Sequence, residues 1–242
     1  MLTEHLPRHH VSSLATSETA VGKSLDDQAF RPGEIRPAGE FANFLTHGFG
    51  FLLSLPGAAW MVWLSLSHPD AALSVACVVY SLTLVGLYAA STLSHAFYDC
   101  RRRRFYRTLD QACIFLLISG SFTPFAAAFL RDGLWPVLFF LMWACALTGA
   151  FLVFRWGFLS AAAQKLYVAM GWLPAIGLPV IIASADVGTV VWVVAGGLLY
   201  TAGTFFLWYD HLMRYFHATW HLFVIGGSFA QYMAILSLLA LN

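Results

Sequence analysis

The sequence predicts an all-α integral membrane protein, a bundle of seven transmembrane helices with a cytoplasmic N-terminus and a C-terminus outside. Hydrophobic residues make up 60% of the 242 positions and charged residues only 10%, a composition that water-soluble domains do not have. Seven apolar runs are long enough to cross a bilayer, which takes about 20 residues in a helix. Lysines and arginines fall almost entirely on one side of these runs, which decides the orientation.

The first forty residues differ in composition from the rest of the chain. They are polar and lack the apolar run and the small-residue cleavage site of a signal peptide. Polar terminal segments of this kind do not pack into a core. We therefore expect two parts, a mobile cytoplasmic tail over 1–40 and a seven-helix transmembrane domain over 41–242.

The transmembrane domain consists of apolar runs separated by short polar junctions, none of which is long enough to hold a second domain. Prolines and glycines inside the runs are tolerated in a membrane bundle, because neighbouring helices satisfy the freed backbone groups and small residues allow close approach. The seven predicted spans cover about 44–66, 71–97, 111–130, 134–154, 166–184, 187–209 and 218–241.

The orientation of the bundle follows from its positive charges, which are retained on the cytoplasmic side. With the N-terminus inside, twelve of the 13 lysines and arginines lie on the inner side, and only Arg131 lies outside. The run Arg101–Arg104 is then a topology anchor, with contact to anionic lipid headgroups as the alternative. The net charge of +1 gives no reason to expect a nucleic-acid partner.

Polar side chains in or beside the spans gather at the predicted cytoplasmic end, where several share a helix face. Residues three, four or seven positions apart lie on one stripe of a helix, and these spacings occur in the first, second and seventh spans. Ionisable groups at this depth are costly and commonly functional. The set consists of Glu40, Asn43 and His47, Ser91 with His95, Asp110, and His217 with His221.

Three of these residues, His95, His217 and His221, suit a zinc ion. His95 ends the second span, and the other two histidines open the seventh. Three imidazole ligands with a fourth position open for water are typical of catalytic zinc sites. An isolated H-x3-H pair is more often interfacial, but Ser91 and Asp110 at the same depth favour a metal. We predict one Zn²⁺ per chain, although imidazole also accepts iron and manganese.

The sequence HATWH at 217–221 lacks the glutamate that serves as general base in the H-E-x-x-H motif of zinc proteases. The base must therefore come from another helix, and Asp110 is the nearest candidate by depth, with Asp99 as a competitor. A carboxylate next to a metal-bound water can take its proton. Ser91, one turn from His95, can donate a hydrogen bond to the oxyanion that develops on an attacked carbonyl.

The polar stripe of the first span is assigned a supporting role. His47 could serve as a fourth ligand, but four protein ligands would close the site to water. We therefore expect Glu40, Asn43 and His47 to orient the ligands or to form a structural hydrogen-bond cluster between helices.

Five stretches of the chain carry a resemblance to a known family. EFANFLTHGFG, STLSH, TLDQACIFLLISGSFTPF, GGLLYTAG and HATWHLFV occur in that order. Together they resemble the hemolysin III family, the bacterial branch of the progestin and adipoQ receptor superfamily, over about residues 40–240. The resemblance implies a multi-pass protein of the bacterial inner (plasma) membrane, with a cytoplasmic N-terminus and a zinc site near the inner face.

In the adiponectin receptors of that superfamily, zinc is held by the histidine that ends the second helix and the two that open the seventh. The resemblance thus implies His95, His217 and His221 as ligands. It also implies that Asp110 holds the zinc-bound water and that Ser91 matches the serine four residues before the first ligand. The junction between His95 and Asp110 departs from those receptors, because it is shorter and rich in arginine.

The superfamily also includes alkaline ceramidases, whose similar site hydrolyses a lipid amide. We therefore expect a zinc-dependent intramembrane hydrolase of a lipid amide or ester, with membrane lipids as partners, including a lipid substrate or a bound fatty acid. The alternatives are a membrane-lipid sensor or receptor-like regulator with structural zinc, and a hemolysin-type channel or pore. Spans whose midplane and outer halves are almost wholly apolar disfavour a pore. The oligomeric state stays open.

Overall fold

The fold is a bundle of α-helices. In the computed structural model, the described residues are 38–97, 99–156 and 161–240, without the side chains of 161–164. The predicted polar tail lies outside them up to residue 37. This part of the chain contains no strand, and its eight α-helices are α1 Ala38–Leu66, α2 Ala71–Ala96, α3 Cys100–Phe129, α4 Trp135–Trp156, α5 Ala161–Trp172, α6 Leu178–Ser184, α7 Val187–Trp208 and α8 Phe216–Leu239.

Seven segments of the described chain are long and apolar enough to cross a membrane. Six of them are the single helices α1, α2, α3, α4, α7 and α8. The fifth in chain order, Lys165–Ser184, combines most of α5, a 3-10 segment over Leu173–Gly177, and α6. The predicted class, an all-α bundle of seven transmembrane helices, is confirmed.

Prolines interrupt the fifth span. Pro174 lies at the start of the 3-10 segment and Pro179 in the first turn of α6. Proline has no backbone N–H and its ring clashes with the preceding turn, so a regular helical hydrogen-bond ladder cannot run through these positions. The sequence predicted one span over about 166–184, with prolines that permit kinks, and the structure divides this span into two helices joined by a 3-10 segment.

Helix α3 begins earlier than the sequence indicated. The predicted span started at 111, after a polar junction, but the helix starts at Cys100. Asp99 accepts a hydrogen bond from the Arg102 amide at 2.9 Å and thereby caps the helix. The arginines of the junction consequently lie on the first turns of α3, and Asp110 lies well inside the helix.

The packing of the helices brings their polar ends together. Helix α2 packs between α1 and α3, while α8 packs between α1 and α7. Buried side chains of α2, α3 and α8 form the main hydrophobic core, in which Cys77, Tyr80 and Ile235 are almost inaccessible to solvent. The last turn of α2 and the first turns of α1 and α8 therefore meet at one end of the bundle, the site end.

Asp70 connects two segments at the end of the bundle opposite the site end. Its carboxylate caps α2 by accepting hydrogen bonds from the amides of Ala72 at 2.9 Å and Leu73 at 3.3 Å, and it also pairs with Arg131. Slight burial tends to raise the pKa of the Asp70 carboxyl, but these hydrogen bonds and the Arg131 charge hold that pKa below its usual value. Asp70 thus joins the start of α2 to the segment that follows α3.

Helices α2 and α3 approach each other closely at Gly120. A Cβ atom added at Gly120 would overlap with the side chain of Thr83 on α2, so glycine is required for this contact. Gly86 lies on α2 as well, and a Cβ atom there would meet no atom of the described chain within 4 Å. The two glycines therefore differ in packing although both lie inside a span.

We expect Gly120→Ala to destabilise the bundle and Gly86→Ala to leave it unchanged or slightly more stable. Overpacking of a close contact costs about 1–3 kcal/mol, whereas the open position at Gly86 gains from the better helix propensity of alanine. Thermal unfolding of the two purified variants in the same detergent measures the difference. Equal melting temperatures for both would show that α2 and α3 do not approach as described.

The predicted orientation places the loop after α3 outside and Cys100 inside. Cys100 is exposed at the start of α3, and Asp132 is exposed in the loop at the opposite end. We expect a membrane-impermeant maleimide to label an Asp132→Cys, Cys100→Ala double variant in intact cells. Cys100 of the otherwise unchanged protein should be labelled only after permeabilisation. The reverse pattern would invert the bundle.

Candidate metal centre

His95, His217 and His221 come together at the site end. One ring nitrogen of each histidine lies within 4.8 Å of those of the other two. The ring centroid of His95 is 5.4 Å from that of His217 and 5.3 Å from that of His221, and the centroids of His217 and His221 are 4.7 Å apart. His95 and His221 are buried and His217 is half-buried. The group can hold a metal ion.

Hydrogen bonds to carboxylates fix the ring orientation of two of these histidines. The Nδ1 atom of His95 lies 2.9 Å from Oε2 of Glu40, and Nδ1 of His217 lies 3.0 Å from Oδ2 of Asp210. An ionised carboxylate only accepts hydrogen bonds, so both Nδ1 atoms carry a proton and both Nε2 atoms keep a free lone pair. This carboxylate–histidine pairing is typical of metal-ligating histidines.

A threonine hydroxyl fixes the third histidine in the same way. Nδ1 of His221 lies 2.9 Å from the hydroxyl oxygen of Thr46. That hydroxyl donates its proton to the backbone carbonyl of Ala42 or Asn43, at 2.9 and 3.0 Å, so its oxygen accepts from His221. All three histidines thus present Nε2 as the unprotonated nitrogen, and this donor set fits a metal that prefers three imidazole ligands.

Glu40 joins this centre to α3. Its second carboxylate oxygen, Oε1, lies 2.8 Å from Arg103 and 3.6 Å from Arg107. Arg103 is buried, and a buried guanidinium requires an anionic partner. Glu40 therefore orients His95 with one oxygen and holds the first turns of α3 with the other, a place consistent with the supporting role expected from the sequence.

His47 and Ser91 lie beside the three histidines. The His47 ring stacks on the His221 ring, with centroids 3.5 Å apart and an angle of 17° between the planes. Its Nδ1 atom lies 2.5 Å from the Ser91 hydroxyl oxygen. Asn43, one turn before His47 on α1, is buried as well. The structure thus places His47 against a candidate ligand rather than among the three nitrogens that converge.

Asp110 also reaches the centre. Its carboxylate hydrogen-bonds with Ser91 and interacts electrostatically with His217 and Arg107. The residue lies inside α3, which begins ten residues earlier at Cys100. The structure therefore brings all eight residues that the sequence singled out to one end of the bundle.

The sequence did not single out three residues that contact this group. Thr46 holds His221, Asp210 holds His217 and Arg103 holds Glu40. The sequence did contain an indication of two of them. Thr46 precedes His47 in the polar stripe of α1, and Asp210 is the one acidic residue of the last polar junction. Along the chain, His221 lies 175 positions from Thr46 and His217 lies seven positions from Asp210. Spacing within one helix does not identify such pairs.

An apolar cavity of about 270 Å³ adjoins the centre. Among its lining residues, Leu87 lies one helical turn from Ser91, Ile114 one turn from Asp110 and Val224 one turn from His221. Most other lining side chains come from α3, the broken fifth span and α7, and are apolar. The cavity therefore extends from the polar site end into the middle of the bundle.

Seven apolar helices around a three-histidine group define a multi-pass integral membrane protein with a candidate metal centre. The Haemolysin-III related family model matches residues 36–232, most of the chain. The chain therefore belongs to the hemolysin III family, as the five sequence stretches indicated.

Individual relatives agree with this assignment. The chain is 34% identical to Hemolysin-3 of Bacillus cereus over 201 residues, which covers 81% of this chain and 90% of the relative. It is 33% identical to a Hemolysin-3 homolog of Bacillus subtilis (strain 168) over 202 residues, 81% and 92% of the two chains. It is also similar to the Monocyte to macrophage differentiation factor of Homo sapiens, at 26% identity over 202 residues, 80% and 82%.

We expect Glu40→Gln to weaken zinc binding about 10- to 100-fold, the usual effect of losing a carboxylate that supports a ligating histidine. The substitution keeps the size of the side chain but removes its charge. Asp210→Asn should have a smaller effect, because Asp210 and His217 are each about one third exposed and water replaces the lost interaction. Competition of the purified proteins with a zinc-specific chelator measures both affinities.

The matched control for both variants is Asp132→Asn, an exposed carboxylate at the opposite end of the bundle. Its zinc affinity should equal that of the unchanged protein. If the Glu40→Gln protein had an unaltered zinc affinity, the hydrogen bond from His95 to Glu40 would not support His95 as a ligand.

Proposed function

We propose that the protein is a zinc-dependent intramembrane hydrolase that cleaves an amide or ester of a membrane lipid. The observation that carries this proposal is a group of three convergent imidazoles that adjoins both a carboxylate and an apolar cavity. A metal site of purely structural use needs neither a carboxylate held beside it nor an apolar cavity one helical turn away.

Zinc fits the donor set of this site. His95, His217 and His221 would hold one Zn²⁺ per chain through Nε2, which leaves a coordination position for a small molecule. When bound, the ion would polarise a carbonyl group and lower the pKa of water. Iron and manganese also accept imidazole, so elemental analysis of the purified protein is part of the test.

Asp110 is the residue that we assign to proton transfer. Its carboxylate lies close enough to His217 to interact with it, and no carboxylate is present between the histidines of α8 themselves. A positioned carboxylate can take a proton from water and give it to the leaving group, which typically contributes about 10²- to 10⁴-fold to a rate.

Ser91 has two conceivable roles, and its contacts favour one of them. The hydroxyl has a single proton, which it donates to Asp110 when that carboxylate is ionised, because an ionised carboxylate only accepts hydrogen bonds. In that state Ser91 orients the carboxylate and cannot donate to an oxyanion as well. We therefore assign Ser91 first to positioning Asp110, and stabilisation of the oxyanion would require its hydroxyl to turn away from the carboxylate.

The cavity supports a lipid as the reactant. A lipid whose polar linkage lay at the site end would find an apolar space one helical turn deeper, beside Leu87, Ile114 and Val224. An acyl chain in this space would stay out of contact with water, as it does in the bilayer. A bound fatty acid, the product of such a cleavage, would occupy the same space.

We further propose that the site end faces the cytoplasm from the plasma membrane of a bacterium. The proposal rests on the arginines at this end of the bundle, which the positive-inside rule keeps in the cytoplasm. A lipid reactant would then enter from the inner leaflet, between helices and in the plane of the membrane.

The names Hemolysin-3 and Hemolysin-3 homolog of two relatives support a second candidate function, a pore. Hydrolysis of lipids can also damage a membrane without a pore, so the name by itself does not decide between them. Ion flux in liposomes that contain the purified protein separates the two, since a pore would conduct with His217 and His221 both replaced by alanine.

We expect the purified protein in lipid nanodiscs to release fatty acid from at least one member of a panel of ceramides and phospholipids. Mass spectrometry measures the release. His217→Ala should lose both zinc and release, whereas Asp110→Asn should retain zinc and lose release about 100-fold or more, because only the proton-transferring group is removed. Asp132→Asn serves as the control with normal release.

Removal of the metal provides the second arm of this test. Dialysis against a chelator should abolish fatty acid release, and added Zn²⁺ should restore it. Release that continues in the chelated protein would rule out the proposed mechanism, and a purified protein without stoichiometric metal would remove its basis.

A further inference from the structure

Two buried polar atoms next to the candidate metal centre have no hydrogen-bond partner in the described part of the chain. They are Nε2 of His47 and Oδ1 of Asn43, and the two residues are only 3% and 6% exposed. Buried polar atoms without a partner are rare in folded proteins, because each has lost its hydrogen bonds to water. Two of them one turn apart on the same face of α1 therefore require an explanation.

Both residues touch the candidate ligand His221. His47 stacks on its ring at a centroid distance of 3.5 Å. The backbone carbonyl of Asn43 hydrogen-bonds with His221 and also accepts from Thr46, which holds Nδ1 of the same histidine. The two unpartnered atoms thus belong to residues that flank one side of the metal centre.

The contacts of Ser91 define the hydrogen-bonding character of His47. In the ionised state that the proposed proton transfer requires, the Asp110 carboxylate only accepts hydrogen bonds, so Ser91 gives it its single proton. The Ser91 oxygen then accepts from Nδ1 of His47, 2.5 Å away. With the proton on Nδ1, the Nε2 atom of a neutral imidazole is an acceptor. Oδ1 of Asn43 is a carbonyl oxygen and is an acceptor too. The two orphaned atoms therefore call for the same complement, a hydrogen-bond donor.

We infer that Asn43 and His47 form an acceptor pair that binds an N–H or O–H group of a ligand held at the metal centre. This inference rests on the proposed function and narrows it. Of the two linkages proposed for cleavage, a secondary amide carries such a donor next to its carbonyl group, and an ester does not. A site that holds buried acceptors for a donor discriminates strongly against a ligand that lacks the donor, because the acceptors are then left unpaired. The acceptor pair thus favours amides.

Two matched chelators test the pair without any knowledge of the natural lipid. Acetohydroxamic acid and N-methylacetohydroxamic acid both bind metals through two oxygens, but only the first has an N–H group. The protein is loaded with Co²⁺, which imidazole ligands accept, and the visible absorption of the ion reports binding of each probe. We expect the unchanged protein to bind acetohydroxamic acid at least tenfold more tightly than its N-methyl analogue.

Four variants relate this preference to the two residues. Asn43→Leu and His47→Asn should reduce it to about threefold or less, because each removes one acceptor, although His47→Asn keeps an amide nitrogen that can donate to Ser91. His47→Gln places an amide group at the position of Nε2 and should retain most of the preference. Ser81→Ala is the control, since Ser81 also has a buried unpartnered oxygen but lies ten residues from Ser91 along α2, about 15 Å away.

Cobalt content and melting temperature show whether each variant is folded, and the Asn43→Leu and His47→Gln proteins decide the outcome if His47→Asn fails to fold. The same preference in all variants with bound cobalt would overturn the inference, as would a spectrum that neither probe changes. A preference that depends on both residues, in a protein that hydrolyses no lipid, would retain the acceptor pair and end the hydrolase proposal. A protein that takes up no cobalt would overturn both.

Discussion

The hydrogen bond between Glu40 and His95 is the interaction on which the site end depends. One carboxylate joins the first turn of α1 to the last turn of α2 through His95, and to α3 through Arg103. Each group needs the others, because a buried guanidinium without an anion is costly and an unsupported imidazole can turn either nitrogen toward a metal. The polar ends of three helices are thereby fixed relative to one another. Helix α8 contributes His217 and His221 beside them.

The three candidate ligands share one pattern: in each, Nδ1 is held by a hydrogen bond to a neighbouring side chain, while Nε2 is free to bind a metal. Thr46 and Asp210 commit Nδ1 of His221 and His217 as Glu40 does for His95. Such preorganisation means that metal binding need not reorder side chains, so less of the binding free energy is lost as conformational entropy. It also explains how histidines from two different helices present Nε2 toward one point, because the groups that hold their Nδ1 atoms come from α1 and from the loop before α8.

Much of the fold and of the candidate metal centre could be predicted from the sequence, and the rest depends on contacts between helices. The apolar runs defined seven spans because membrane thickness fixes their length, and the spacing of histidines defined which side chains share a face. The predicted start of α3 was wrong. An arginine-rich segment is too polar to be recognised as part of a membrane span, but it forms a helix that Asp99 caps. Two other features depend on how segments pack against one another, which the spacing of residues in the sequence does not encode. They are the break in the fifth span at Pro174 and Pro179 and the hydrogen bond between Asp210 and His217.

The polar region ends abruptly below the centre, and this bears on what the bundle can do. One turn deeper than Ser91, the hydroxyls of Tyr88 and Tyr200 both bond to the hydroxyl of Ser228, at 3.0 and 2.9 Å, and so satisfy one another within the protein. Conduction requires polar groups that exchange bonds with water at successive depths, whereas these face each other and border an apolar cavity. This hydroxyl cluster lies between the polar site end and the apolar cavity, which Tyr200 lines. The arrangement supports the proposed lipid reactant, which combines a polar linkage with a long apolar chain.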